Sequence, residues 1–71
     1  MNEDGLAFCV AMAEHGVRMA ESRLQDTEER LTEIESVDSR WSWLKGCEFA
    51  QARALADARE RLSDLQRKAA P

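Results

Sequence analysis

The sequence predicts an all-α protein built as an antiparallel helical hairpin. Three observations predict this fold: apolar residues recur every three or four positions in both halves, turn-forming residues interrupt the pattern near the middle, and the two halves carry opposite net charges. We expect residues 1–71 to form a single domain, with a helix over about 5–35, a turn at 36–39 and a second helix over about 39–68.

The first half of the chain carries a heptad pattern. Its positions alternate four and three residues apart over about four repeats, a spacing that places the side chains along one side of a helix. Asp4 or Asn2 can cap the start of this helix. We call this line of residues the first seam: Leu6, Val10, Ala13, Val17, Ala20, Leu24, Thr27, Leu31 and Ile34.

Residues 36–39 separate this pattern from a second one. They include serine and aspartate, whose side chains bond to nearby backbone, and Asp38 or Ser39 can cap the next helix. Arg67 and Lys68 supply the positive charge that the C-terminal end of a helix favours. The second seam consists of Trp41, Leu44, Glu48, Gln51, Leu55, Ala58, Leu62, Leu65 and Ala69.

Folding the chain back at the turn aligns the two seams, because residue i then lies level with residue 75 − i. Residues 1–39 have a net charge of −7 and residues 40–71 a net charge of +3, so the two halves attract each other. Glutamates recur every seven residues beside the first seam, and we expect Glu14 to pair with Arg59 and Glu28 with Lys45.

One layer of the aligned seams is polar. Thr27, Glu48 and Gln51 lie together there with Leu24, and such a layer fixes the register of paired helices. The alternative for this layer is a ligand site. The alternative to the hairpin is one continuous helix of ~60 residues, about 90 Å long.

One flank of the seams is apolar. A hairpin this short buries little surface, so we expect a second copy to cover this flank in an isologous four-helix dimer. The alternative is that these are ordinary residues of a helix surface. The expected contacts, one residue from each copy, are Cys9 with Trp43, Met12 with Cys47, Gly16 with Ala50 and Met19 with Ala54; these eight residues are the apolar flank.

The sequence offers little for catalysis. His15 is the only histidine and falls on the outer face of the first helix. Cys47 lies level with residue 28, more than two heptads from Cys9, which excludes a disulfide within the hairpin. Two cysteines and one histidine so placed cannot complete a zinc site, and the three glycines are isolated. We expect no catalytic, metal or cofactor site.

Four further residues are candidates for contact with a partner. Phe8 and Phe49 lie outside the seams, and exposed aromatic rings on rigid helices commonly anchor protein interfaces. Arg53 and Arg61 belong to the basic second helix and suit an anionic ligand. The alternatives are that Phe8 packs across the end of the dimer and that Phe49 is an isolated exposed ring.

The predicted function is that of a non-enzymatic protein that binds a protein partner and inhibits or redirects it. A chain in which nearly every residue belongs to one of two helices has few loops with which to build a reaction pocket. The small size is typical of inhibitors and adaptors, including phage-type antagonists of a host regulator or defence complex.

Two alternatives come from other classes. One is RNA binding through the basic second helix, and the predicted four-helix architecture resembles that of plasmid copy-control hairpin dimers, which bind paired RNA loops. The other is a structural coiled-coil subunit of a larger assembly. The longest apolar run, Leu6 to Ala13, is too short to span a bilayer and the residues before it are acidic, so we expect a cytoplasmic, unprocessed chain without membrane contact.

Overall fold

Two long helices packed side by side as a hairpin make up the structure. The computed structural model describes residues 3–70, in which α1 spans Glu3–Glu33 and α2 spans Ser39–Ala69. The molecule measures 53 × 14 × 13 Å, close to the length of one 31-residue helix (about 46 Å) and far from that of a continuous helix through both halves. The predicted hairpin is therefore confirmed, and the continuous helix is wrong.

The helix bounds differ slightly from those expected. α1 begins and ends two residues earlier than the pattern indicates, so Asp4 lies inside the helix, and Asn2 lies outside the described residues. α2 begins at Ser39 as predicted. A turn follows the end of α1, in which the backbone N–H of Asp38 donates to the carbonyl of Glu35 at 3.0 Å.

Asp38 organises the start of α2. Its backbone is extended, with φ −70° and ψ 133°, and its Oδ1 accepts the backbone N–H of Arg40 at 2.9 Å. The Arg40 guanidinium also reaches back to the same carboxylate, with Nη2 2.7 Å from Oδ2. Hydrogen bonds from the Arg40 side chain and then from its backbone lower the pKa of Asp38 from 3.8 to about 2, and the pKa of Arg40 is raised in return.

The core follows the two seams. Every first-seam residue is buried or half-buried, and so is every second-seam residue except Ala69. The most protected apolar side chains are Val17, Leu44 and Leu55, between 6% and 9% exposed. Within residues 3–70 no large side chain is completely enclosed, because two helices can cover each other along only one line.

A polar contact lies within this core, in the half nearer the turn. Thr27 is only 6% exposed, and its Oγ1 lies 2.6 Å from Oε1 of Gln51 and 3.1 Å from the carbonyl oxygen of Arg23. A hydroxyl carries one hydrogen, so it donates to one of these acceptors at a time. Across the described residues, every buried side-chain nitrogen and oxygen has a hydrogen-bond partner, so the polar layer adds no unpaired group.

The prediction of which ion pairs form between the helices is wrong. Arg59 pairs with Glu21, Nη2 to Oε1 3.2 Å, instead of with Glu14, and Lys45 pairs with Glu48 of its own helix at 2.9 Å instead of with Glu28. Helical side chains lean toward the N-terminus of their helix, and in an antiparallel pair they lean in opposite directions.

That lean explains which pairs form. At nearly equal height, Glu14 leans away from Arg59, whereas Glu21 lies several residues nearer the turn and leans toward it. The same rule explains the contact between Thr27 and Gln51, whose side chains lean toward each other across three positions of the alignment.

Shortening Leu55 tests the seam. We expect Leu55→Ala to lower the free energy of unfolding by about 2–4 kcal/mol, because it removes buried contacts that this thin core cannot replace. Urea unfolding followed by circular dichroism measures the change. Phe49→Ala on the same helix is the control: its ring is 73% exposed, and its effect should stay within about 0.5 kcal/mol. Equal losses for the two variants would contradict the seam.

The turn should contribute a pH dependence. The pKa of Asp38 is about 2 in the folded chain and 3.8 as its ordinary value, so its stabilising effect is present above about pH 4 and is lost as the pH falls toward 2. Asn also caps a helix but carries no charge. We therefore expect the stability difference between the parent and Asp38→Asn to be constant near pH 6 and to shrink between pH 4 and pH 2 in urea titrations. A difference that does not vary with pH would contradict this role.

Candidate functional site

A groove between the helices lies near the open end of the hairpin, away from the turn. Its volume is about 830 Å³. α1 contributes the apolar residues Phe8, Cys9, Met12 and Gly16, and α2 faces them across the groove. The residues that line it from α2 are Ala54, Asp57, Ala58, Arg61 and Leu65.

The groove brings together residues that the sequence assigned to two different roles. Cys9, Met12, Gly16 and Ala54 were predicted to contact a second copy, and all four line the groove. Phe8 and Arg61, predicted to contact a partner, line it as well, so the two predicted surfaces overlap at this end of the molecule.

The rest of the apolar flank lies outside this groove. Trp43 is at the turn end, where it lines a smaller depression of about 310 Å³ with Arg30 and Glu33. Met19, Cys47 and Ala50 line neither depression. Within one chain the eight residues of the apolar flank therefore do not close into a single patch.

The apolar flank is accessible to solvent. Trp43, at the turn end, is 67% exposed. Met12 is 55% exposed, Met19 42%, and Phe8, which lines the groove with Met12, 67%. Cys9 and Cys47 are half-buried free thiols. Phe8 and Met12 line the same groove at the open end, and adjacent exposed apolar side chains of this kind commonly mark an interaction site.

Gly16 has no role in the packing of its own chain. A Cβ atom built at this position meets nothing within 4 Å, and the same holds for Gly46 on α2. Glycine within a helix costs about 1 kcal/mol relative to alanine. Gly16 differs from Gly46 in lining the groove, where a missing side chain lets another backbone approach closely.

Phe49 and Arg53 lie apart from the groove. Phe49 is 73% exposed and Arg53 is exposed beside it along α2, and neither belongs to the groove lining. Val37 in the turn is 87% exposed, a feature that the sequence analysis did not single out. An isolated apolar residue within a polar turn is the sequence feature that could have identified Val37.

Most basic residues of α2 form ion pairs within the chain. Arg40, Lys45, Arg59 and Arg67 each form an ion pair with a carboxylate, and the Lys45 ammonium also lies 5.8 Å from the centroid of the Trp41 ring. Within residues 3–70, the basic residues of α2 without an ion pair are Arg53, Arg61 and Lys68. Ion pairing reduces the positive surface that a nucleic acid would meet.

Groups suited to chemistry lie apart from one another. His15 is exposed on α1. Over the part of the chain that the structure describes, no three histidine, cysteine or acidic side chains gather where they could hold a metal ion. Neither helix, over the same residues, combines the length and hydrophobicity required to cross a bilayer.

The site was only partly visible in the sequence. Asp57 lines the groove but was not among the candidates, although it follows Ala54 at helical spacing on the same side of α2. Comparisons of the chain with protein-family models, with curated proteins and with solved structures found no match. The site must therefore be interpreted from its own geometry.

Proposed function

We propose that this chain is a non-enzymatic protein-binding hairpin that pairs with a second copy in a four-helix bundle and docks on another protein, which it inhibits or redirects. The observation that carries the proposal is the open apolar groove at Phe8, Cys9, Met12 and Gly16. Such a surface suits occupation by apolar side chains of another helix.

The thin core supports association. Among residues 4–70 the buried apolar side chains are Val17, Leu44 and Leu55, and chains of this size commonly gain stability by oligomerising. Large apolar side chains such as Met12 and Trp43 remain more than half exposed. Their burial against another surface would add the hydrophobic stabilisation that one seam cannot provide.

The arrangement of the apolar flank favours a second copy of the chain. Its α1 residues lie at the open end, whereas Trp43 lies near the turn. A two-fold axis through the middle of the hairpin brings the turn end of one copy to the open end of the other. The partner's Trp43 then lies level with the groove, and the same arrangement occurs a second time by symmetry.

Phe49 and Arg53 remain for a protein target. They lie outside the groove, and the Phe49 ring is 73% exposed. An aromatic ring held on a rigid helix loses little conformational entropy on binding, which is why such residues anchor interfaces. Inhibition or redirection of the target is the role that suits a small chain without a reaction pocket.

Two other functions remain open to test. RNA binding is favoured by the unpaired Arg53, Arg61 and Lys68 and opposed by the ion pairs of the other four basic residues of α2. A structural subunit would use the same apolar flank but would assemble only with copies of itself.

A leucine placed in the groove tests the dimer. We expect Gly16→Leu to convert dimers into monomers, because the new side chain fills the space that the partner's helix approaches. Gly46→Leu is the matched control: it also enters open space, but outside the groove, and should leave the dimer unchanged. Sedimentation equilibrium distinguishes the outcomes. A monomeric parent protein, or equal association of the two variants, would overturn the dimer.

Removing the Phe49 ring tests the docking role. We expect the tagged parent chain to recover a foreign protein from a lysate of its host cells and Phe49→Ala to lose it, since the ring supplies the anchor. Val37→Ala, which shortens another highly exposed apolar side chain, should retain the captured protein. Calorimetry with the purified pair then measures the affinities.

Two results would replace this proposal. Recovery of RNA that weakens steeply with salt and is lost in Arg53→Glu would favour nucleic-acid binding. Recovery of the chain alone, in assemblies larger than a dimer, would favour the structural subunit.

A further inference from the structure

The open end of the hairpin presents two rows of side chains on the face that carries the groove. One row runs along α1 and is apolar, the other runs along α2 and is charged, and both contribute to the lining of the groove. The apolar row is Cys9, Met12, Gly16 and Met19. The charged row is Asp57, Arg61, Asp64 and Lys68, which also line an adjoining depression of about 330 Å³.

The charged row is largely unpaired within the chain. Asp64 forms an ion pair with Arg67 of its own helix. Asp57, Arg61 and Lys68 are exposed and, within residues 3–70, form none. The charges of these three side chains are therefore available to another molecule.

We propose that two copies associate through their open ends, groove against groove, with α1 on the partner's α1 and α2 on the partner's α2. A two-fold axis perpendicular to the helices produces this arrangement and makes each pair of like helices antiparallel. The inference rests on the dimer proposed above and specifies where its axis lies. It replaces the contacts between α1 and the partner's α2 that hydrophobicity alone suggests.

The apolar rows of the two copies are complementary. Facing residues of two antiparallel helices have numbers with a constant sum. With a sum of 28, Cys9 faces the partner's Met19 and Met12 faces the partner's Gly16, and each contact occurs twice. A Cβ atom at Gly16 would meet nothing within 4 Å, so this position has room for the partner's Met12.

The charged rows are complementary under the same symmetry. With a sum of 125, Asp57 faces the partner's Lys68 and Arg61 faces the partner's Asp64, and each contact again occurs twice. All four contacts join opposite charges. Solvated pairs of this kind add little affinity, but they disfavour every alignment that sets like charges together.

A single axis serves both helices. The sum for α1 places the axis at residue 14, and the sum for α2 places it midway between residues 62 and 63. Level residues of the hairpin add up to 75, so residue 14 lies level with residue 61, about 1.5 residues or about 2 Å from the second position. The two sums come from different chemistry, hydrophobicity on α1 and charge on α2, so their agreement is an independent observation.

The lean of the side chains does not disturb this agreement. In the antiparallel helices of the hairpin, Thr27 and Gln51 meet three positions beyond equal height. The same shift applied to both like pairs moves the axis by equal amounts on α1 and α2. The two positions then again differ by about 1.5 residues, in the opposite direction.

Other positions of the axis are disfavoured. A sum of 35 on α1 sets Met12 against the partner's Arg23. An axis at the middle of the hairpin brings the partner's Trp43 level with the groove but sets Met12 close to the partner's Arg30. The proposed axis lies nearer the open end, where it covers the groove and leaves Trp43 beyond the end of the partner's α2.

Reversal of charges in the charged row tests the axis. An acidic variant carries Arg61→Asp and Lys68→Asp, and a basic variant carries Asp57→Lys and Asp64→Arg. Each variant sets like charges together in all four contacts of its own dimer, so we expect its dissociation constant to rise at least about tenfold in about 50 mM salt. When the two variants are mixed, all four contacts regain opposite charges, and heterodimers should form at least as tightly as the parent dimer.

A matched control separates this effect from a change in net charge. Arg18→Asp with Arg30→Asp reverses two exposed arginines outside the proposed contact, the same change in charge as in the acidic variant. It should leave the dissociation constant within about threefold of the parent value. Circular dichroism reports the helix content of each variant, and heterodimers in the mixture show that both variants fold.

The outcomes distinguish this inference from the dimer on which it rests. A monomeric parent protein overturns both. A dimeric parent whose acidic and basic variants associate as tightly as the control, with no preference for each other when mixed, overturns the position of the axis and leaves the dimer standing. Weak association of each variant alone, preferential heterodimers in the mixture and a weaker preference in about 500 mM salt support the proposed axis.

Discussion

The structure depends on one line of contact, the seam along which α1 and α2 meet. Two helices have no second neighbour, so every apolar residue off this line is left to solvent or to another molecule. Leu44 and Leu55 are well protected for this reason, while Trp43, one position from Leu44, is 67% exposed. Most of the surface chemistry of the chain follows from this limit.

Polar interactions fix the position of the two helices relative to each other, which hydrophobic contacts along the seam leave loosely specified. Asp38 caps α2 and holds Arg40, which fixes where the chain reverses. The contact between Thr27 and Gln51 then fixes how far one helix is displaced along the other, because a buried hydroxyl displaced from its partner would lose its hydrogen bond across the seam.

The fold was largely predictable because helical periodicity is visible directly in the spacing of residues along the sequence. The seams, the turn and a cap at Asp38 or Ser39 could each be inferred from spacing and residue type, and the structure places the cap at Asp38. The ion pairs could not, since a register alone omits the direction in which side chains such as Glu14 lean. The groove was partly predicted. Its α1 side followed from hydrophobicity, whereas Asp57 lines it because of how the two helices are placed relative to each other, which neither heptad pattern specifies.

The hairpin topology also sets an order in which the structure closes. Contacting residues are 24 positions apart at Thr27 and Gln51 and 38 apart at Glu21 and Arg59, so each contact further from the turn closes a longer loop. Zippering from the turn makes the far tip the last part to form and the first to fray. The groove lies at that end. A molecule bound in it therefore stabilises the part of the hairpin that unfolds most readily, and with it the hairpin as a whole.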